Sequence, residues 1–144
     1  MSDTTAAVAK SSGGGGGGGG YTVKVADVGP AGERLTVDKV VFTPNPVTSK
    51  SNPIRVTITV KDTKGRLVQG ALVFFRSTPI VTSTPTDAPT GSDGTVTYNI
   101  QPRSDFPIKN GFSVQFFAKA YRSGDPTLAG ISGTRLVQVA THKP

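Results

Sequence analysis

The chain has no cysteine, no tryptophan and a single histidine among its 144 residues. Without cysteine it forms no disulfide, but a domain of this length buries roughly two-thirds of its unfolded surface and does not need one. The lack of both residue types excludes the Cys–Trp–Cys core of antibody domains. Zero cysteine suits the cytosol and is also compatible with an extracellular protein, so it does not define the compartment.

Long apolar runs are also missing. Nowhere do about 18 consecutive apolar residues occur, so we expect no membrane span. Residues 1–20 lack a basic segment followed by about 7–15 apolar residues, which is the pattern of a secretory signal. We therefore expect a protein made in the cytoplasm without a secretion signal.

Acidic residues are scarce relative to basic ones. Nine Asp and Glu stand against sixteen Lys and Arg, which gives a net charge of +7. The basic residues are dispersed singly, whereas nucleic-acid readers more often show a basic stripe interleaved with aromatics. We therefore expect a solvated surface and no direct nucleic-acid partner, with attraction to an acidic partner surface as the alternative.

The apolar residues show no helical periodicity; instead they alternate with polar residues. Eleven prolines and eighteen glycines disfavour helices. In residues 54–61 every second residue is apolar, which predicts a strand with one buried face. Residues 96–100 and 112–116 repeat this pattern, and the latter continues through Ala118 and Ala120. Weaker strand candidates are residues 21–26, 35–43, 71–76 and 134–140.

About seven short strands are therefore predicted, separated by turn sequences at 62–65, 92–94, 109–111 and 123–126. Such a set must bury its apolar face against a second sheet or close on itself. We predict an all-β fold, an antiparallel β-sandwich, with a barrel as the second choice. The predicted core residues are Ile54, Val56, Ile58, Val60, Ala71, Val73, Phe75, Val96, Tyr98, Ile100, Phe112, Val114, Phe116, Val137 and Val139.

Eight consecutive glycines, residues 13–20, precede the first strand candidate. We predict a Gly-rich N-terminal arm or linker over 1–20 and the sandwich over 21–144, with its core at about 35–142. The glycines form either a disordered linker or an arm whose backbone pairs with a partner protein. Ordering the arm costs about 1–2 kcal/mol per residue, so docking needs a large or repeated contact. The candidate partner-binding residues are Ala6, Ala7, Val8, Ala9, Gly13, Gly16, Gly20 and Tyr21.

Catalytic and metal-binding groups are few. His142 lies three residues from the end of the sequence, which argues against a His-centred triad or a His-rich metal site. Asp87, Asp93, Asp105 and Asp125 stand in turn-like contexts where Asp is common, with a carboxylate pair or a calcium site as the alternative. The glycine run lacks the Gly-Lys-Ser/Thr ending of a phosphate loop. We predict no catalytic residues, no metal site and no cofactor.

Three aromatic residues have the opposite parity from the core residues of their strands. Phe74, Phe117 and Tyr121 are therefore candidates for surface recognition of a partner or a carbohydrate on an outer sheet face. The alternative is that strand ends, bulges or the N-terminal strand cover them. Residues 77–94, rich in Ser, Thr and Pro, are predicted to form a surface loop, and loops at sandwich ends also serve recognition.

Two segments carry a family resemblance. The sequence IRVTITVKDTKGRLVQGALVFF at 54–75, followed by GSDGTVTY at 91–98, resembles bacterial Ig-like domains of the invasin and intimin type. Those modules show V-x-V-x-D-x-x-G-x-P-V-x-G-A-x-V-x-F, then T-D-x-x-G-x-A, and a last strand that residues 111–120 match in position. The resemblance covers about residues 35–142. It implies an Ig-like sandwich and says almost nothing about chemistry.

Ig-like modules of this kind also occur on tailed-bacteriophage virions, as capsid decoration proteins or tail appendages. The resemblance implies a non-enzymatic structural protein on the virion surface, held by residues 1 to about 34 against the major capsid protein or another virion protein. The alternative is an Ig-like adhesin on a cell surface, or a module that binds a host-surface glycan or protein. A third hypothesis, a cytoplasmic enzyme, would depend on Asp87, Asp93 or His142.

Overall fold

The computed structural model describes residues 22–29, 34–125 and 131–144. In this part of the chain the predicted all-β sandwich is confirmed, with nine strands and a single 3-10 turn at Val25–Asp27. The strands are β1 (Thr22–Lys24), β2 (Leu35–Thr43), β3 (Ile54–Asp62), β4 (Leu67–Gln69), β5 (Leu72–Thr78), β6 (Ala88–Pro89), β7 (Thr95–Ile100), β8 (Phe112–Tyr121) and β9 (Gly133–Thr141). None of the described residues belongs to a helix that could cross a membrane.

The strands form two sheets. In the first sheet β3 pairs antiparallel with β2, β7 and β4, and β1 adds to β4 in parallel. The second sheet has the antiparallel order β6-β5-β8-β9. In chain order, β2, β3 and β7 match strands A, B and E of an immunoglobulin sandwich, and β5, β8 and β9 match C, F and G. Strands β4 and β6 were not predicted, because two or three residues are too few to show an alternation.

Alternation buries one face of each sheet. In β3 the side chains of Ile54, Val56, Ile58 and Val60 are fully buried, as predicted. Two predicted core residues behave differently. Phe112 is 42% exposed, because it is the first residue of β8 and lies at the open end of the sandwich. Val137 is only half-buried, although it packs against the core.

Aromatic rings fill the centre of the core. The Phe75 and Phe116 rings stack with centroids 5.0 Å apart. The Phe42 ring lies 5.1 Å from that of Phe116 and tilts across both. Phe42 comes from a predicted strand but was not in the predicted core. Val47 and Phe106 are buried outside the strands, where alternation gives no signal.

Residues 77–94 are not only a surface loop, which corrects the sequence prediction. Strand β5 continues to Thr78, and residues 81–83 run antiparallel to residues 101–103. Thr90 is buried, and its hydroxyl donates to the Val68 carbonyl at 2.6 Å and accepts from the Ala71 amide at 3.1 Å. These bonds tie the segment to the sandwich, and the alternation pattern could not show them.

The described chain enters and leaves the sandwich at opposite ends. Strand β1 starts at Thr22 beside Leu67, near the turn that follows Asp62; we call this the entry end. The other end, the far end, holds the loops over 44–53, 79–83 and 101–111 and residues 142–144. At the far end Val47 bridges to Thr141, and the Val47 amide donates to the Ala140 carbonyl at 2.8 Å.

Candidate functional site

The outer face of the second sheet carries an aromatic cluster. Phe74 on β5 and Phe117 and Tyr121 on β8 lie on this face, where their parity placed them, and all three are half-buried. The register sets Phe74 opposite Lys119 and Arg76 opposite Phe117. The two Phe rings are therefore diagonal neighbours, and they meet edge to face with centroids 6.1 Å apart.

A groove opens beside this cluster, with a volume of about 360 Å³. We call it the β5–β8 groove. It is lined by Phe74, Asp87, Phe117, Lys119, Tyr121, Asp125 and Ser132. Aromatic rings therefore form one part of its wall, and charged or hydroxyl groups form the rest.

Asp87 and Tyr121 form the polar centre of the groove. The Tyr121 hydroxyl donates a hydrogen bond to Asp87 Oδ2. This bond raises the pKa of Tyr121 to about 12, with smaller contributions from burial and from the negative charge of Asp87. The raised pKa extends the range over which the phenol stays protonated, as a donor to the carboxylate, from about pH 10 toward about pH 12.

Exchanging Asp87 for Asn should bring the pKa of Tyr121 back toward its ordinary value of 10, because the amide removes the charged acceptor. In the native protein the folded-state pKa lies above the unfolded one. The stabilising contribution of Tyr121 is therefore complete below pH 10 and is lost as the pH rises through about 12. Tyrosinate absorbance and urea unfolding between pH 9 and pH 12 measure both effects. An unchanged titration in Asp87→Asn would contradict the assignment.

Ser132 and Asp125 line the side of the groove where β9 begins. Both carboxylate oxygens of Asp125 bond to Arg122, from its amide at 3.1 Å and from its Nε at 3.2 Å, so Asp125 fixes a turn. The Ser132 Oγ is buried and has no hydrogen-bond partner among the described residues. A buried hydroxyl without a partner is unusual, and because its oxygen is covered it offers no contact to a ligand in the groove.

A second depression of about 310 Å³ lies along the same sheet face. It includes Phe117, which separates it from the β5–β8 groove, and the exposed side chains of Ile80 and Leu136. The Arg76 guanidinium also lines it and stands 5.1 Å from the centre of the Phe74 ring. Apolar and cationic surface therefore continues along β5, β8 and β9 beyond the groove.

The other candidate residues are dispersed. Asp93 Oδ1 accepts bonds from the Thr95 amide and hydroxyl, which is turn chemistry. Asp105 lies at 3.9 Å from Arg103, with both side chains exposed. The His142 amide donates to the Val47 carbonyl at the far end. Within residues 22–29, 34–125 and 131–144, no three His, Cys, Asp or Glu side chains cluster as metal ligands.

The arm residues lie outside the described part of the chain. They are Ala6, Ala7, Val8, Ala9, Gly13, Gly16, Gly20 and Tyr21. Their predicted contact with a partner protein stays a prediction.

Sequence reasoning found the aromatic members of the groove, named Asp87 and Asp125 as turn residues, and missed Lys119 and Ser132. Lys119 shares the parity of Phe117 and Tyr121 and could have been found in the same way. Asp87 was interpreted as a turn residue, but it is separated by 34 residues from its partner Tyr121. Ser132 gives no signal in the sequence.

No family model matches the chain, and neither a curated protein nor a solved structure matches it.

Proposed function

We propose that the protein is a non-enzymatic structural protein of a tailed-phage virion, a capsid decoration protein attached through its N-terminal arm. The observation that supports this is the position of Thr22 at the entry end, opposite the far-end loops. An attachment through residues 1–20 would therefore direct the loops over 44–53, 79–83 and 101–111 away from the capsid. The net charge of +7 favours approach to an acidic shell.

The arm has a physical role in this proposal. Glycine lacks a side chain and adopts backbone conformations closed to other residues, so eight glycines suit a narrow groove between shell subunits. The cost of ordering them is offset when many copies bind a symmetric shell. The sandwich then contributes surface display rather than attachment.

Deletion of residues 2–20 should abolish attachment and leave a folded domain. The test is co-expression with the major capsid protein encoded in the same genome, followed by density-gradient sedimentation. The full chain should co-sediment with assembled shells, and the deletion variant should stay at the top of the gradient. The β-sheet signal of the deletion variant in circular dichroism should match that of the full chain, which shows that the domain is folded. Co-sedimentation of the deletion variant would overturn attachment through the arm.

A second variant separates the two roles of the glycines. Replacing every second glycine in 13–20 by serine keeps the length and flexibility but adds side chains. An arm docked in a narrow groove should lose co-sedimentation. Full retention would assign the glycines to a linker and attachment to residues 1–12.

A second candidate function is an Ig-like module that binds a host-surface glycan or protein. The half-buried aromatic cluster on the outer face of the second sheet favours it, because apolar patches on a surface mark interaction sites. Binding to host cells should then persist after deletion of residues 2–20. Loss of cell binding with the arm would contradict this candidate.

A further inference from the structure

The geometry points to the β5–β8 groove as a binding site for one or two rings of a neutral sugar. The apolar face of a ring packs on Phe117, and its hydroxyls bond to Asp87 and Tyr121. This inference rests on the second candidate function and is independent of how residues 1–20 attach.

The aromatic wall provides the stacking surface. Phe74 meets Phe117 edge to face, so the pair is held in place by mutual packing as well as by the register of β5 and β8. Rings on strands are more rigidly placed than rings on loops. The groove volume of about 360 Å³ lies at the small end of ligand pockets, which span about 300–1,000 Å³, so it takes a small ligand.

The polar wall offers mainly acceptors. An ionised carboxylate has about four lone-pair sites, and the Tyr121 hydroxyl occupies one site on Asp87. The phenol oxygen can itself accept a bond while its proton points to Asp87. A ligand rich in hydroxyl donors matches this set.

The groove presents charges of both signs, which favours a neutral ligand. A cationic ligand would bring its charge close to the Lys119 ammonium, and an anionic ligand would bring its charge close to the Asp87 carboxylate. Asp125 adds little, because both of its oxygens already bond to Arg122. A purely apolar ligand would desolvate the remaining lone pairs of Asp87. A neutral polyol with one apolar face fits these constraints.

The test is an amide NMR titration of the full, isotope-labelled chain. The probes are glucose, galactose, mannose and N-acetylglucosamine, with glucosamine and glucuronic acid as cationic and anionic counterparts. At least one neutral sugar should shift the amides of β5 and β8, and both charged counterparts should bind more weakly. Phe117→Ala and Asp87→Asn should each raise the Kd at least tenfold.

A matched control comes from the first sheet. Val41 is exposed on the outer face of β2, opposite Thr57, so Val41→Ala removes surface apolar area without touching the groove. It should leave the Kd unchanged. Asp87→Asn keeps the shape of the side chain, so a loss of binding in this variant is interpretable even if Phe117→Ala perturbs the packing. The chemical-shift dispersion of each variant's spectrum without sugar reports whether that variant is folded.

Three results would overturn the groove as a sugar site. They are the absence of shifts with all four neutral sugars, tightest binding by a charged probe, and a Kd unaffected by both groove variants. Cell binding that survives Phe117→Ala and Asp87→Asn would retain the second candidate function and still remove this groove from it.

Discussion

Replacing Gly133 by alanine is expected to lower the free energy of unfolding by about 3 kcal/mol, one of the largest effects available in this chain. Gly133 begins β9, where that strand passes close to β2. A Cβ atom there would lie 2.0 Å from the carbonyl oxygen of Leu35 and 2.9 Å from its carbonyl carbon. Both are backbone atoms, and the Leu35 amide is itself bonded to the Ile131 carbonyl at 2.7 Å. The clash can be relieved only by separating the two strands.

The measurement is urea unfolding followed by circular dichroism, with thermal unfolding as a check. A loss of about 3 kcal/mol corresponds to a lowering of the Tm by about 10 °C or more. Gly91→Ala is the matched control, because a Cβ there meets the Asp93 carboxylate oxygen at an ordinary 3.6 Å. Equal stability of the Gly133→Ala and Gly91→Ala proteins would show that β2 and β9 do not approach as described.

The requirement for Gly133 is a feature that the sequence did not reveal. Alternation and turn chemistry depend on neighbours within a few residues, so both can be read locally. The glycines of the predicted turns, Gly65, Gly94, Gly111 and Gly124, all have positive φ. Gly133 instead lies in a strand. A side chain is excluded there by the backbone of Leu35, which is 98 residues away in the chain. Only the closure of the sandwich brings the two together.

The residues that line the β5–β8 groove also divide into those that local sequence patterns predict and those that only the folded chain brings together. The period of two in β5 and β8 predicted that Phe74, Phe117 and Tyr121 share an outer face, because a strand fixes this property locally. The approach of Asp87 to Tyr121 depends on the path of residues 79–94 back along the second sheet, where proline and threonine give no periodic signal. Phe112 is the converse case. Its parity is that of the core, but its place at the end of β8 leaves it exposed.

Two adjacent phenylalanines in β8 provide the second large prediction. Phe116→Ala should lower the free energy of unfolding by about 3–5 kcal/mol, since the ring is fully buried and stacks on Phe75 beside Phe42. Phe117→Ala should cost only about 1 kcal/mol, because its ring is half-buried on the outer face and loses less apolar contact. Urea unfolding of the two variants in parallel measures the difference.

The two variants form a matched pair, because the same side chain is truncated at consecutive positions of one strand. A difference of several kcal/mol follows from a sandwich with one inner and one outer face, and it means that Phe117 is not required for folding. The aromatic cluster on the outer face would then be available for a ligand. Equal losses would mean that other parts of the chain cover Phe117 in the folded protein, and the outer face of the second sheet would belong to the core rather than to a recognition surface.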